Sequence, residues 1–292
     1  MDHRRRNIKP VLQVIGAAVL FSTGGAAIKT AAFSGLQVAS LRSGLAAAML
    51  LVWFGRRAAW SPAAALTGVV YATTLVLFVT ATKLTTAANA IFLQSTAPLY
   101  IALLGPLLLG ERFRVRDLAF LAAVVVGLAL CVTAGVETAV TAPDPPTGNL
   151  LAAVCGLAWA LTLIGLRWGE RRRAGTSFAA VIAGNVFACA IGAPALWPLP
   201  AAPLAEWATL GYLGIFQIGV AYILLTGAVA HLPALHVSLL LLLEPVLNPV
   251  WAWLVRGEEP GARALLGGAI ILAASAGQVA SDSRPAETPT RG

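Results

Sequence analysis

The stretch that decides the fold is A-L-H-V-S-L-L-L-L-L-E-P-V-L-N-P-V-W-A-W-L-V-R-G-E-E, residues 234–259. It has the roughly 20 predominantly apolar residues that a helix needs to cross a bilayer. Yet it carries Glu244, followed at once by Pro245, and no other acidic residue of the chain lies in the middle of an apolar run. A carboxylate in hydrocarbon costs about 2.5–3.5 kcal/mol on insertion scales, so it marks a cavity or a pathway rather than a lipid-facing surface. The same stretch is a diverged copy of residues 87–112. A shift of 147 residues aligns Ala87 with Ala234, Leu93 with Leu240, Pro98 with Pro245, Leu107 with Leu254, Gly110 with Gly257 and Glu111 with Glu258. That makes six identities in 26 ungapped positions, and they include a shared P-x(11)-G-E.

Composition places the whole chain in the membrane. Of 292 residues, 59% are hydrophobic and 11% charged, and the mean hydropathy is +0.83. Soluble domains carry about 25% charge. The net charge of +8 sits mostly in short clusters between apolar runs. That is the pattern of orientation signals in a membrane protein, and it argues against nucleic acid as a partner. Cys131, Cys155 and Cys189 each lie inside an apolar run without C-x-x-C or Cys/His spacing. They read as buried structural thiols, so neither a metal nor another cofactor is expected. The basic start, M-D-H-R-R-R-N-I-K-P, resembles a signal peptide, but its apolar run continues through Ile28 to Phe33, which favours a retained first helix.

Ten segments are long and apolar enough to span: 11–31, 36–54, 63–82, 88–109, 117–136, 149–167, 177–197, 207–229, 234–255 and 263–281. With the N-terminus in the cytoplasm, thirteen Lys and Arg residues fall on that side: Arg4, Arg5, Arg6, Lys9, Arg56, Arg57, Arg112, Arg114, Arg116, Arg167, Arg171, Arg172 and Arg173. Only Arg256 and Arg263 sit in loops opposite, beside the proline-rich, acidic segment that starts at Thr141. The positive-inside rule therefore predicts cytoplasmic termini. Five helices precede the proline-rich linker and five follow it. An odd number per half sends the second copy in from the other side. The expected fold is thus all-α and integral to the membrane, ten transmembrane helices in two inverted five-helix repeats (11–137 and 148–281). This arrangement recurs in secondary transporters, with the solute held near the midplane.

Residues 97–111, A-P-L-Y-I-A-L-L-G-P-L-L-L-G-E, and 244–258, E-P-V-L-N-P-V-W-A-W-L-V-R-G-E, also carry a family likeness. Over roughly 11–281 the chain resembles the EamA type of the drug/metabolite transporter superfamily. The resemblance implies transport of a small metabolite, often outward, across the cell (inner) membrane. It leaves the solute open.

Several residues are candidates for handling such a solute, each with a structural alternative. Glu244 and Asn248 share a helix face. Glu244 either binds a solute ammonium or a coupling proton, or only hydrogen-bonds a neighbouring helix. Pro98 and Pro245 should kink helices four and nine and free carbonyls, for structure or for binding. Lys29, Arg42 and Lys83 lie in apolar segments near helix ends, as a basic vestibule or as snorkelling side chains. Snorkelling is the expectation for Arg42, whereas Lys83 adjoins the polar cluster Thr85, Thr86 and Asn89. Asn89 and His236 correspond under the 147-residue shift and are either gates or helix caps, and Lys29 is a further gate candidate. Trp159 and Tyr71 could stack on the solute. Gln94, Tyr100, Gln217 and Tyr222 could hydrogen-bond it. Trp60, Trp197, Trp207 and Trp253 fit an interfacial belt. An intramembrane enzyme is a poor alternative, because H-E-x-x-H and G-x-S-x-G are absent. A membrane sensor or scaffold lacks a loop large enough to signal.

Overall fold

Helices begin where the sequence supplies caps and prolines. In a computed structural model of the chain, residues 8–111, 115–134, 142–199, 201–256 and 262–281 are described, and no strand occurs among them. Arg4 to Arg6, Arg112, Arg114, Gly257 and Glu258 lie outside the described residues. The order is α1 (Lys9–Ser22), α2 (Gly24–Thr30), α3 (Gly35–Phe54), α4 (Pro62–Leu84), α5 (Ala87–Gln94), α6 (Ala97–Leu109) and α7 (Val115–Ala134). There follow α8 (Pro145–Arg172), α9 (Thr176–Gly192) and a 3₁₀ turn (Ala193–Leu196). Next come α10 (Leu204–Tyr212), a π-helical segment (Leu213–Val220) and α11 (Ala221–Val229), and then α12 (Ala234–Leu241), α13 (Leu243–Arg256) and α14 (Ala262–Ser281). Among the described residues, seven helical stretches are long and apolar enough to cross a membrane, and three shorter apolar ones fall on the fifth, ninth and tenth segments read from sequence.

Hydropathy understated some helix ends. The sixth segment, expected at 149–167, is helical from Pro145 to Arg172. Asp144 caps its start by accepting from the Thr147 N–H, and Pro145 and Pro146 occupy the first positions, where a missing N–H costs nothing. At the other end, the Arg172 guanidinium lies 4.0 Å from the centre of the Trp168 ring, one turn back.

The expected kinks are outright breaks. Helix four is interrupted at Ser95 and Thr96, so Pro98 sits in the first turn of α6, not in a helix interior. Helix nine is interrupted at Leu242, and Glu244 and Pro245 occupy the first turn of α13. A proline inside a helix loses a hydrogen bond and clashes with the carbonyl four residues back, and restarting the helix just before it removes both penalties. Helix one also breaks, at Thr23 between Ser22 and the pair Gly24 and Gly25.

The halves are interleaved. Helix α8 packs along α4, and α1 packs along α11 and the π segment. Helix α3 packs on α9, and α7 on α14. Helices α1 and α8 run in opposite directions. The start of α8 meets the end of α4, where Thr85 donates to Asn149 Oδ1 at 2.7 Å and the Asp144 N–H donates to the Leu84 carbonyl at 3.1 Å. The end of α2 meets the same place through Lys29. Residue 167 therefore lies at the opposite end of the bundle, together with the α3–α4 loop, since the Ala59 N–H donates to the Gly175 carbonyl at 2.9 Å.

Candidate functional site

Residues beside the helix interruptions line one small cavity. Its volume is about 40 Å³, and Phe21, Arg42, Thr74, Leu75, Phe78 and Gln94 line it from the first half of the chain. Trp159, Gln217, Ile218, Tyr222 and Glu244 line it from the second. A chamber of about 10 Å³, bounded by Ser95, Pro98, Ser238 and Leu242, shares Gln94, Trp159 and Glu244 with it. A water needs roughly 10–15 Å³, so the space holds a few waters and no metabolite. The site is contracted.

Its apolar wall is an aromatic cluster. Phe21 meets Trp159 edge-on with centroids 6.2 Å apart and Tyr222 at 5.4 Å, while Tyr222 lies 4.6 Å from Tyr71. Tyr71 itself stands behind this wall, fully buried, with its hydroxyl accepting from Asn185 Nδ2 at 3.3 Å. Gly184 permits that position, because a Cβ there would lie 2.3 Å from the Tyr71 ring.

The polar part centres on Arg42, which corrects the expectation of a snorkelling side chain. Arg42 is only 1% exposed. It donates from Nη1 to Gln217 Oε1 at 3.3 Å and from Nη2 to the Leu75 carbonyl at 3.4 Å, and its Nε has no partner. Gln217 comes from the π segment, where the widened helix turn sets its side chain against Gly24 at the break in helix one. A Cβ on Gly24 would lie 2.6 Å from Gln217 Nε2. The same cavity is lined by Glu244 and by Gln94, whose Oε1 is buried without a partner.

The cavity therefore gathers Glu244, Gln94, Gln217, Trp159, Tyr222 and Arg42 from among the sequence candidates, and adds Phe21. The rest lie elsewhere. Asn248 is not among the lining residues; its Oδ1 sits near Gly25. Lys29 donates to the carbonyls of Thr82 at 2.9 Å and Thr85 at 2.6 Å, closing the C-terminus of α4. Lys83 donates to the Ala31 carbonyl in return. Neither lysine is a lining residue of the cavity. Asn89 is not the cap of α5 but its third residue, its N–H donating to the Thr86 hydroxyl at 3.1 Å. His236 likewise sits inside the first turn of α12, after Pro233.

At the far end of the bundle lies a contact that the sequence did not announce. Arg167 donates from Nε to Glu111 Oε1 at 2.7 Å, and from Nη1 to the carbonyls of Val229 at 2.7 Å and Ala230 at 3.0 Å. The other Glu111 oxygen accepts from the Ala234 N–H at 3.0 Å, at the start of α12. One ion pair thus closes the C-terminus of α11 and the N-terminus of α12 together. Of the thiols, Cys155 is buried and free, and Cys189 is free and half-buried beside Ser40.

Comparison with known proteins agrees with this architecture. The model of the EamA-like transporter family matches the chain twice, over residues 8–133 and 146–278. The chain belongs to that family. That family is one of transporters, and the apolar helices fit a multi-pass membrane protein. Among curated proteins it is similar to an uncharacterized transporter of Methanothermobacter thermautotrophicus, 26% identical over 188 residues. That match takes in 62% of this chain and about half, 53%, of the relative. A crystal structure sharing 21% identity superposes with a TM-score of 0.75, covering 96% of this chain and 100% of its own, which speaks for the fold alone.

Proposed function

We propose that this protein is a secondary transporter of a small zwitterionic or cationic metabolite, working as an exporter by alternating access. Ten crossings of the cell (inner) membrane, with both termini in the cytoplasm, frame two inverted repeats over 11–137 and 148–281. The observation that carries this reading is the cavity, lined almost equally from both halves and sited where helices one, four, eight and nine lose regularity. Irregular backbone at membrane depth is tolerated where it lines a cavity. Rocking one half against the other about a midplane site would expose it to each side in turn. The antiparallel course of α1 and α8 supports the inversion. So does the basic end of the bundle, where Arg56 and Arg57 lie in the loop joined to Gly175 beside Arg171 to Arg173.

Within the site Glu244 is proposed to take a solute ammonium or a coupling proton. Reconstituted protein should accumulate or release solute across a vesicle membrane without nucleotide, and a pH gradient should change the rate. If the variant Glu244→Gln moves its solute at an unchanged rate with unchanged pH dependence, the coupling role fails. Fusions to each terminus test the topology, and a C-terminal reporter active only outside the cytoplasm would overturn the ten-crossing arrangement.

A further inference from the structure

A guanidinium keeps its charge even when buried, and five N–H donors then need acceptors. Arg42 has few. Its two hydrogen bonds, at 3.3 and 3.4 Å, are longer than the 2.7–2.9 Å usual for charge-assisted contacts. Both acceptors are neutral, and Nε has none. Glu244 lines the same cavity, yet the two make no ion pair. Burying a cation without a counter-ion is strongly unfavourable and normally selects either a partner or a replacement. Here the residue lines a cavity instead.

We infer that Arg42 is the anion-binding group of the transport cavity, so that the solute bears a carboxylate as well as an ammonium. The inference rests on the transporter reading above and narrows its solute class from amines and amino acids to zwitterions. The carboxylate pairs with the Arg42 fork, which suits planar two-oxygen anions. The ammonium faces Glu244 and the unpartnered Gln94 Oε1 across the cavity. The remaining side chain of the solute lies against Phe21, Trp159 and Tyr222. Full occupancy requires the contracted space to widen, which alternating access supplies. A guanidinium and a carboxyl group that are unpaired with each other are then satisfied by one molecule.

Two sets of probes isolate the charges: L-phenylalanine with phenethylamine and 3-phenylpropionate, and L-leucine with isoamylamine and 4-methylpentanoate. Each set shares one apolar group and differs in charge. Initial rates are measured in proteoliposomes for the wild type, Arg42→Gln and Arg42→Lys. Wild type should favour at least one of the amino acids over its amine by about 10–100-fold, the value of a hydrogen-bonded charge contact. Arg42→Gln should erase that preference by slowing the amino acid and sparing the amine, and Arg42→Lys should retain part of it. A second readout separates binding from a structural role. Because Arg42 lacks a counter-ion, Arg42→Gln should melt in detergent, without solute, at or above the wild-type temperature. Equal rates for amine and amino acid in the wild type, an unchanged preference in Arg42→Gln, or a lower melting temperature for that variant would overturn the inference. Wild-type vesicles that move none of the six probes would overturn the zwitterion assignment. Failure to move any solute in a wider metabolite screen would overturn the transporter reading itself.

Discussion

Two arginines of this chain sit in contrasting company. Arg167 has a carboxylate at 2.7 Å and two backbone carbonyls within 3.0 Å, and Glu111 in turn holds the start of α12. Arg42 has two long bonds to neutral acceptors and an Nε with no partner, although it is the more deeply buried. A satisfied arginine is a fastener. An unsatisfied one lining a cavity is a place for something else to bind. The difference also bears on the proposed alternating access, because the Arg167 clamp joins α6, α8, α11 and α12 at one end of the bundle and would have to loosen for that end to open. Lys29 occupies the corresponding position relative to the starts, 8 and 146, of the two segments matched to the family. It fastens the end of α4 at the other end of the bundle.

The contrast can be broken by exchanging the surroundings. Gln217→Glu would give Arg42 a fixed carboxylate, making it resemble Arg167. Zwitterion transport should then fall by about 100-fold or more, the product of two lost charge-assisted contacts, while the melting temperature rises. Initial rates and thermal unfolding of the same preparation check both halves of that expectation. Glu111→Gln does the reverse and leaves Arg167 without its counter-charge. Buried pairs lose about 3–5 kcal/mol when broken, and the partial exposure of these side chains, 13% and 17%, reduces the expected loss to about 1–3 kcal/mol. A lower melting temperature in detergent would register it, and no change would show that the clamp carries no load.

Smaller effects sharpen the picture. Gly24→Ala would press a methyl against the end of Gln217, a flexible group that can shift at little cost to folding. Its displacement from Arg42 should weaken solute affinity by about 3–10-fold, or roughly 1 kcal/mol, with stability nearly unchanged. Competition for uptake by unlabelled solute measures that. Lys29→Met should cost about 0.5–1.5 kcal/mol of stability, read as a lower melting temperature, for the bonds it gives to the carbonyls ending α4, and nothing in solute affinity. Transport by folded protein should persist, since Lys29 does not line the cavity.

The sequence made the segments, the repeated proline and Glu244 legible because each leaves a one-dimensional trace: an apolar run, a fixed spacing, a charge where none belongs. Of the polar cavity lining, Gln94 and Gln217 were also visible as polar letters in apolar helices. Arg42 was misread. Eight residues into α3, it lies near enough to a helix end for hydropathy to suggest snorkelling. Only the packing of α3 against α9 and the π segment decides that it turns inward. Phe21 could not be told from any packing aromatic, and the π segment around Gln217 has no signature in composition. The role of Glu111 was hidden for another reason. Its partners, Arg167 and Ala234, are 56 and 123 residues away in the chain.

Ser95, at the break in helix four and in the wall of the smaller chamber, offers the most direct test of alternating access. Ser95→Cys would be made in a background with Cys131, Cys155 and Cys189 replaced, verified for transport, and sealed in vesicles of known orientation. The rate of labelling by a membrane-impermeant maleimide is then measured from each side. The account predicts labelling from both sides, because the same cavity opens to each in turn. Labelling from one side only, in a variant that still transports, would contradict it.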